Sequence, residues 1–123
     1  MGEVMEKLKV VMEELNKIPK AQLVFTTDIG GKVENWNKTF QFNLSGEDPF
    51  HLIIQDKIAR VVAGEYSNPD IIMEGDPNAI VKICEGKGDF THAISREEIQ
   101  VVKGKVMDII RLTRAITIVL KTK

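Results

Sequence analysis

The sequence predicts an α+β fold in which helices at both ends of the chain cover a largely antiparallel sheet. Two segments, residues 4–18 and 105–123, carry apolar residues at helical spacing. Between them, residues 36–54 alternate apolar and polar side chains, as strands with one buried face do. A chain of 123 residues can bury roughly two-thirds of its unfolded surface. Residues 1–123 are therefore expected to fold as a single domain.

The composition argues against several classes of function. Lys and Arg total 17, Asp and Glu total 18, and both signs are mixed along the chain, which argues against a nucleic-acid partner. The single cysteine, Cys84, cannot form an internal disulfide, and no Cys/His cluster has the spacing of a zinc site. A cytoplasmic protein without metal or cofactor is expected. No apolar run approaches the ~20 residues of a membrane span, and residues 1–18 are too charged for a secretory signal.

Residues 4–18 form the first predicted helix, and Pro19 ends it. Lysines and glutamates fill its outer face in balance, which favours a helix packed on a sheet over one lying on a membrane. The apolar residues that would face the core are Val4, Leu8, Val11, Met12, Leu15 and Ile18.

The next segments predict an antiparallel meander of three strands. Residues 22–29, rich in β-branched and aromatic side chains, form the first strand and stop at the turn pair Gly30-Gly31. Residues 36–44 and 50–54 form the second and third, with His51 on a polar face where a solvated histidine is expected. Residues 58–63 suit either a fourth pairing segment or a covering segment, and the sequence leaves both open.

Residues 70–104 predict a strand, a helix, a short helix and a second strand at residues 99–104. The run I-I-M at residues 71–73 is too short for a helical face and fits a buried strand. Asp76 suits the N-cap of the following helix, Pro77 its first position and Gly86 the left-handed residue after its end. The apolar face of this helix comprises Ile80, Val81, Ile83 and Cys84.

Residues 105–123 predict a terminal helix with an unusual end. Asp108, Arg111 and Arg114 lie opposite its apolar face. Residues 116–120, I-T-I-V-L, are apolar and β-branched nearly all round, so a strand is an alternative there. An exposed apolar helix end would need a cover, which could be a second chain or a ligand.

The residues that could carry catalysis lack a supporting pattern. His51 and His92 have no motif of a nucleophile and base around them. Cys84 lies on an apolar helix face, where a thiol acts as a small hydrophobe. The Gly-Lys-Gly run at residues 86–88 follows a helix and lacks the spacing of a phosphate-binding loop. We therefore expect a protein that is not an enzyme. A small enzyme that uses His92 and a nearby carboxylate is the less favoured alternative.

Taken in order, the segments resemble the sterol carrier protein-2 (SCP-2) family of lipid-transfer domains. D-I-I-M-E-G at residues 70–75 is similar to the family's Asp-led strand, and E-G-K-G-D-F at residues 85–90 to its glycine and following apolar residue. Ala93 and I-Q-V-V-K-G at residues 99–104 resemble its last sheet segment. Where family members often carry glycine before that strand, this chain has S-R-E-E at residues 95–98.

The resemblance implies a five-stranded sheet covered by helices. It also implies non-enzymatic binding or transfer of a fatty acid, an acyl-CoA or a sterol-like lipid in an apolar tunnel between the sheet and the later helices. Mapped onto this chain, the residues expected to bind lipid are Ile80, Cys84, Phe90, Ile94, Ile109, Leu112, Ile116 and Leu120. The alternative is an accessory or dimerisation domain whose C-terminal helix is covered by a partner chain, for instance in a homodimer.

Overall fold

The computed structural model describes residues 3–122, and within them a five-stranded sheet is covered by helices from both ends of the chain. The elements in chain order are α1 (Glu3–Leu15), α2 (Pro19–Gln22), a 3₁₀ turn (Leu23–Phe25), β1 (Thr26–Ile29), β2 (Lys32–Asn35), β3 (Lys38–Leu44), β4 (Phe50–Gln55), β5 (Ile58–Ala63), β6 (Ile71–Gly75), α3 (Pro77–Cys84), α4 (Phe90–Ser95), β7 (Ile99–Lys103) and α5 (Val106–Thr122).

The main sheet has the strand order β5-β4-β3-β6-β7. Three of its neighbouring pairs are antiparallel, and the pair of β3 with β6 is parallel. The prediction of a largely antiparallel five-stranded sheet is thus confirmed, with one parallel pairing at its centre. Alternate residues of the central strands, such as Phe40 and Phe42, are fully buried against the helices.

Residues 22–29 were predicted to form the first strand of the meander. That prediction was wrong for residues 22–25, which are helical, and for the strand with which the remainder pairs. Pro19 starts a short helix because its fixed φ suits the first helical position, and a 3₁₀ turn continues it to Phe25. The strand begins only at Thr26, and it pairs with β2, a strand that the sequence did not predict. These two strands form a separate hairpin, so the antiparallel meander consists of β3, β4 and β5 instead.

Residues 58–63, which the sequence left open, form the edge strand β5. A two-residue turn joins it to β4, and its residues Asp56 and Lys57 have φ values of 54° and 67°, as a type I′ hairpin turn requires. The outward backbone groups of Ala59 are covered by α1, because the side-chain amide of Asn16 donates to the Ala59 carbonyl and accepts from its N–H, both at 2.9 Å.

The expected solvated histidine on β4 is a buried one. His51 is 6% exposed, and its Nδ1–H donates to the Gly64 carbonyl oxygen at 2.9 Å. The ring of Tyr66 lies 5.2 Å from the imidazole, centroid to centroid. The loop after β5 folds back over this part of the outer sheet face, and that long-range contact is invisible to an alternating pattern.

The terminal segment is one helix through Thr122, so the strand alternative for residues 116–120 is excluded. Ile116 and Val119 are at most 2% exposed, and Ile118 and Leu120 are partly buried against the same core. The protein's own core therefore covers the apolar end that suggested a partner chain. Homodimerisation stays a prediction without that support.

The first half of α5 is fixed by Arg111. Its guanidinium donates to the carbonyl oxygens of Val24 and Thr26, both at 2.9 Å, and lies 4.9 Å from the ring centroid of Trp36. Trp36 in turn stacks on Phe25 with centroids 6.0 Å apart. The tryptophan is thus a packing residue, and α5 is anchored to the start of the hairpin.

Candidate functional site

A groove with a volume of about 790 Å³ runs between the α3–α4 loop and the last turns of α5. Clefts of a few hundred to about a thousand Å³ are the usual size of small-molecule sites. The residues that line it are Cys84, Glu85, Gly86, Lys87, Gly88, Asp89, Thr117, Leu120 and Lys121. We refer to this cleft as the groove.

The loop wall of the groove follows from how α3 begins and ends. Asp76 caps its start by accepting from the Asn78 N–H at 2.9 Å, as predicted. At its end Gly86 takes the left-handed conformation with φ 79° and donates to the Ile83 carbonyl, while Lys87 N–H donates to the Lys82 carbonyl at 2.8 Å. This pair of bonds is the Schellman motif, so Gly86 is the C-cap glycine that the sequence predicted.

The glycine also sets the width of the groove floor. A Cβ atom on residue 86 would lie 3.7 Å from Cδ1 of Leu120 on α5, which is ordinary van der Waals contact. Because Gly86 has no side chain, a gap about one methyl group wide separates the loop after α3 from Leu120 at this point. The groove lies where these two walls meet.

The second wall is one flank of α5. Thr117, Leu120 and Lys121 line the groove because positions three and four apart share a helix face. The Thr117 hydroxyl donates to the Thr113 carbonyl at 2.9 Å, which leaves its methyl group and the Leu120 side chain as the apolar surface of this wall.

Cys84 forms part of the floor and is held neutral. It is 9% exposed, and burial raises the pKa of its thiol to about 12, against a small opposing effect of the Lys7 ammonium. The thiol therefore stays protonated at neutral pH and presents an apolar surface, as its place on an apolar helix face predicted.

The rim is charged. Glu85 lies 3.3 Å from the Lys7 ammonium and 3.7 Å from the Lys87 ammonium. Lys121 faces the groove from α5. Together with Asp89, the lining holds two acids and two lysines. An apolar floor beneath a rim of mixed charge suits a ligand with an apolar body and a polar end.

His92 lies just beyond the loop and has a simple structural surrounding. Its Nδ1 is 3.2 Å from Asp89 Oδ2, and its side chain is 70% exposed. Asp89 also accepts from the His92 N–H at 2.8 Å, which caps the start of α4. The carboxylate beside the imidazole is thus explained as a helix cap.

Two of the eight residues predicted to bind lipid, Cys84 and Leu120, line the groove. Ile94 is partly buried against the core. The other five are at most 2% exposed within that core: Ile80, Phe90, Ile109, Leu112 and Ile116. All eight belong to one continuous apolar cluster, which is closed in this structure and meets solvent at the groove.

Most of the groove's lining was not predicted from the sequence, in particular Thr117 and Lys121. Thr117 lies three positions before Leu120 and Lys121 four positions after Thr117, so all three belong to one flank of the helix. Helical spacing from Leu120 would therefore have identified both residues. The loop residues 85–89 were interpreted only as a cap and hinge. These loop residues form a wall of the groove only because the last turns of α5 lie opposite them, and the sequence does not show that position.

Other chemistry is limited in the part of the chain that the structure describes. Within residues 3–122 no group of three His, Cys, Asp or Glu side chains is placed to hold a metal ion. Nor is any helix in that range long and apolar enough to cross a bilayer.

Both the sequence and the fold are similar to those of known proteins. The model of the SCP-2 sterol transfer family matches residues 15–117. No curated protein matches the sequence. Among solved structures, a UbiJ-SCP2 ubiquinone synthesis protein is similar with a TM-score of 0.68 and 14% identity, over 94% of this chain and 95% of its own.

Two further structures share the fold. A conserved hypothetical protein of Thermus thermophilus, described as possibly a sterol carrier protein, has a TM-score of 0.65 and 16% identity, over 94% of this chain and 82% of its own. The palmitated SCP2L2 of Aedes aegypti has a TM-score of 0.61 and 15% identity, over 94% of this chain and 93% of its own. At such identities the likeness establishes the fold.

Proposed function

The chain belongs to the SCP-2 sterol transfer family, and from this premise we propose that it binds and transfers a hydrophobic small molecule without catalysing a reaction. The ligand class is a fatty acid, an acyl-CoA or a sterol-like lipid. The observation that carries the proposal is the groove, whose floor includes Cys84 and Leu120. Both are among the residues that we mapped as lipid-binding from the position of the family's tunnel.

The proposed binding path runs from the groove into the core. The apolar body of the ligand passes between Cys84 and Leu120 and reaches the cluster formed by the other six lipid-binding residues. Because that cluster is closed, the end of α5 must move away from the α3–α4 loop as the ligand enters. The polar end of the ligand stays at the rim beside Lys87 and Lys121.

The energetics allow such an exchange. An acyl chain that buries ~400 Å² of apolar surface gains ~10 kcal/mol at ~25 cal/mol per Å². Part of that gain offsets the lost freedom of the ligand, which costs ~4 kcal/mol or more, and the separation of packed side chains. The remainder corresponds to dissociation constants in the micromolar to millimolar range, which suits a carrier that must also release its ligand.

The fold supports the proposal by analogy. SCP2L2 of Aedes aegypti, which has the same fold, has been solved in a palmitated form. A palmitoyl chain is the kind of ligand that an apolar floor under a charged rim would accept.

The test is direct measurement of ligand and uptake. Native mass spectrometry of the purified protein should show a copurifying lipid, and the delipidated protein should take up a fluorescent fatty acid such as cis-parinaric acid. Leu120→Asp should weaken that uptake at least about tenfold because a carboxylate replaces apolar floor. Val10→Asp is the matched control, since Val10 is an exposed apolar residue of α1.

Fatty-acid titration of the wild-type protein followed by NMR keeps the test valid if Leu120→Asp does not fold. Amide shifts should begin at residues 84–89 and 117–121 and extend to the core residues of α5. A wild-type protein that carries no lipid and takes up no fatty acid would overturn the proposal. A folded Leu120→Asp variant with unchanged affinity would overturn the groove as the site.

A further inference from the structure

The solvent-facing side of α5 carries an unusual set of residues. At 100° per residue, five exposed side chains fall within an arc of about 100°. We call them the α5 stripe: Val106, Met107, Ile110, Arg114 and Lys121. Three are apolar, and Met107 is 77% exposed. Two are cations, and none is an acid.

The charge of this region differs from that of the whole chain, which has a net charge of −1. The acid of α5, Asp108, is half-buried and lies off the stripe. The short segment 19–25, whose two elements pack against α5, adds exposed Lys20 and the 60% exposed Leu23 and contains no acid. The neighbouring surface thus repeats the same combination of cation and exposed apolar side chain.

The other long helix does not share this property. The exposed face of α1 carries Glu3, Glu6 and Glu13 alongside Lys9 and Lys17, so its charges are balanced. Val10, 51% exposed, is the large apolar residue on that face. Of the two long helices, α5 is therefore the one whose exposed cations and apolar side chains complement a surface with negative charges above an apolar interior.

The α5 stripe is continuous with the groove. Lys121 belongs to both, and Thr117, which lines the groove, falls inside the arc of the stripe. A surface against which the stripe lies would therefore meet the groove mouth. If the protein exchanges lipids, the external surface on which the stripe lies is also the source of the ligand.

We propose that the α5 stripe docks the protein on the headgroup region of an anionic phospholipid bilayer, with Met107 and Ile110 inserted at the interface and Arg114 and Lys121 on the lipid charges. Cations near an anionic leaflet and exposed apolar side chains together give reversible interfacial binding. The purpose of this docking rests on the proposed lipid transfer, but the binding itself can be measured separately.

The test is sedimentation of the full chain with vesicles of phosphatidylcholine alone or with ~30 mol% phosphatidylserine, which gives a strongly anionic surface. The wild type should prefer the anionic vesicles, and high salt should weaken binding. Met107→Asp/Arg114→Glu should lower the partition coefficient at least about fivefold, the equivalent of one cation near the surface. Lys9→Glu/Val10→Asp makes the same chemical change on α1 and should keep wild-type binding within about twofold.

Equal loss in the two double variants, equal binding to both vesicle types, or no vesicle binding by the wild type would each overturn the inference. The last result, with fatty-acid uptake intact, would leave an acidic protein as the partner for this face and would leave the proposed function standing. Vesicle binding that depends on the α5 stripe in a protein that takes up no fatty acid would support docking and refute the proposed function. The two ideas therefore fail separately.

Discussion

Replacing Asn16 by alanine should destabilise the protein strongly for a change of one partly exposed, uncharged side chain. Its side-chain amide makes two hydrogen bonds of 2.9 Å with the backbone of Ala59, which is 3% exposed. The amide acts as a short additional strand beside β5 and satisfies the backbone groups that an edge strand leaves unpaired.

The magnitude follows from those two bonds. Each is worth ~1 kcal/mol net, and the substitution leaves a donor and an acceptor of a buried residue without partners, so we expect a loss of about 2–3 kcal/mol. For a domain of this size that loss lowers the melting temperature by about 8–12 °C. Urea denaturation with an unchanged m value would confirm that stability, not compactness, has changed.

Two variants calibrate the result. Lys17→Ala changes an exposed neighbour on the same segment and should stay within ~0.5 kcal/mol of the wild type. Asn37→Ala removes one exposed hydrogen bond, from the Asp56 N–H at 3.1 Å, and should cost ~0.5 kcal/mol. If Asn16→Ala cost no more than Asn37→Ala, water would be replacing both bonds and the strand-like role of Asn16 would be refuted.

Three further predictions concern α5, the α4–β7 turn and the thiol. Thr113→Val should stabilise the fold by ~1 kcal/mol in urea titrations, because Thr113 Oγ1 is buried without a hydrogen-bond partner among residues 3–122; no gain would mean a hidden partner. Glu97→Gly should gain ~1 kcal/mol in melting experiments, because Glu97 has a φ of 63°, while Ser95→Gly in α4 should lose ~0.5 kcal/mol or more. Ellman's reagent at pH 8 should modify native Cys84 about a thousandfold more slowly than the unfolded chain, whose thiol pKa is near 9. Since the folded thiol pKa is raised, its contribution to stability is complete below pH 9 and is lost as pH rises toward 12.

Much of the fold was readable because local chemistry and burial agree. In α1, each of the core-facing residues Val4, Leu8 and Leu15 is buried, since a 3.6-residue period leaves little choice of face. The capping signals at Asp76 and Gly86 were equally local, and both make the bonds that their chemistry predicts. Within the run S-R-E-E at residues 95–98, Glu97 takes a left-handed conformation with a φ of 63°, which nothing in the local sequence indicated.

What the sequence did not reveal depends on distant contacts. The side chains of Thr26 and Thr27 suit any strand, and their pairing with residues 34 and 35 outside the main sheet is a matter of packing space. His51 lies on a polar face in sequence but is buried by a loop that begins at Gly64. The candidate site suffered most, because the groove is defined by the approach of two segments about thirty residues apart.

The arrangement of anchors indicates where the core can open. On one side Asn16 joins α1 to the edge of the sheet. On α5, Arg111 bonds to the backbone before and within β1, which holds the first half of the helix. From Arg111 to Lys121 the helix runs ~15 Å further, and there its groove-facing flank presents the apolar side chain of Leu120 to the α3–α4 loop across the groove. An apolar contact without directional bonds separates at the cost of exposed area alone, which the buried surface of an entering acyl chain offsets. Under the proposed function, a lipid ligand would supply the free energy needed to open the protein at the groove, whereas opening at α1 would break hydrogen bonds that no apolar ligand can replace.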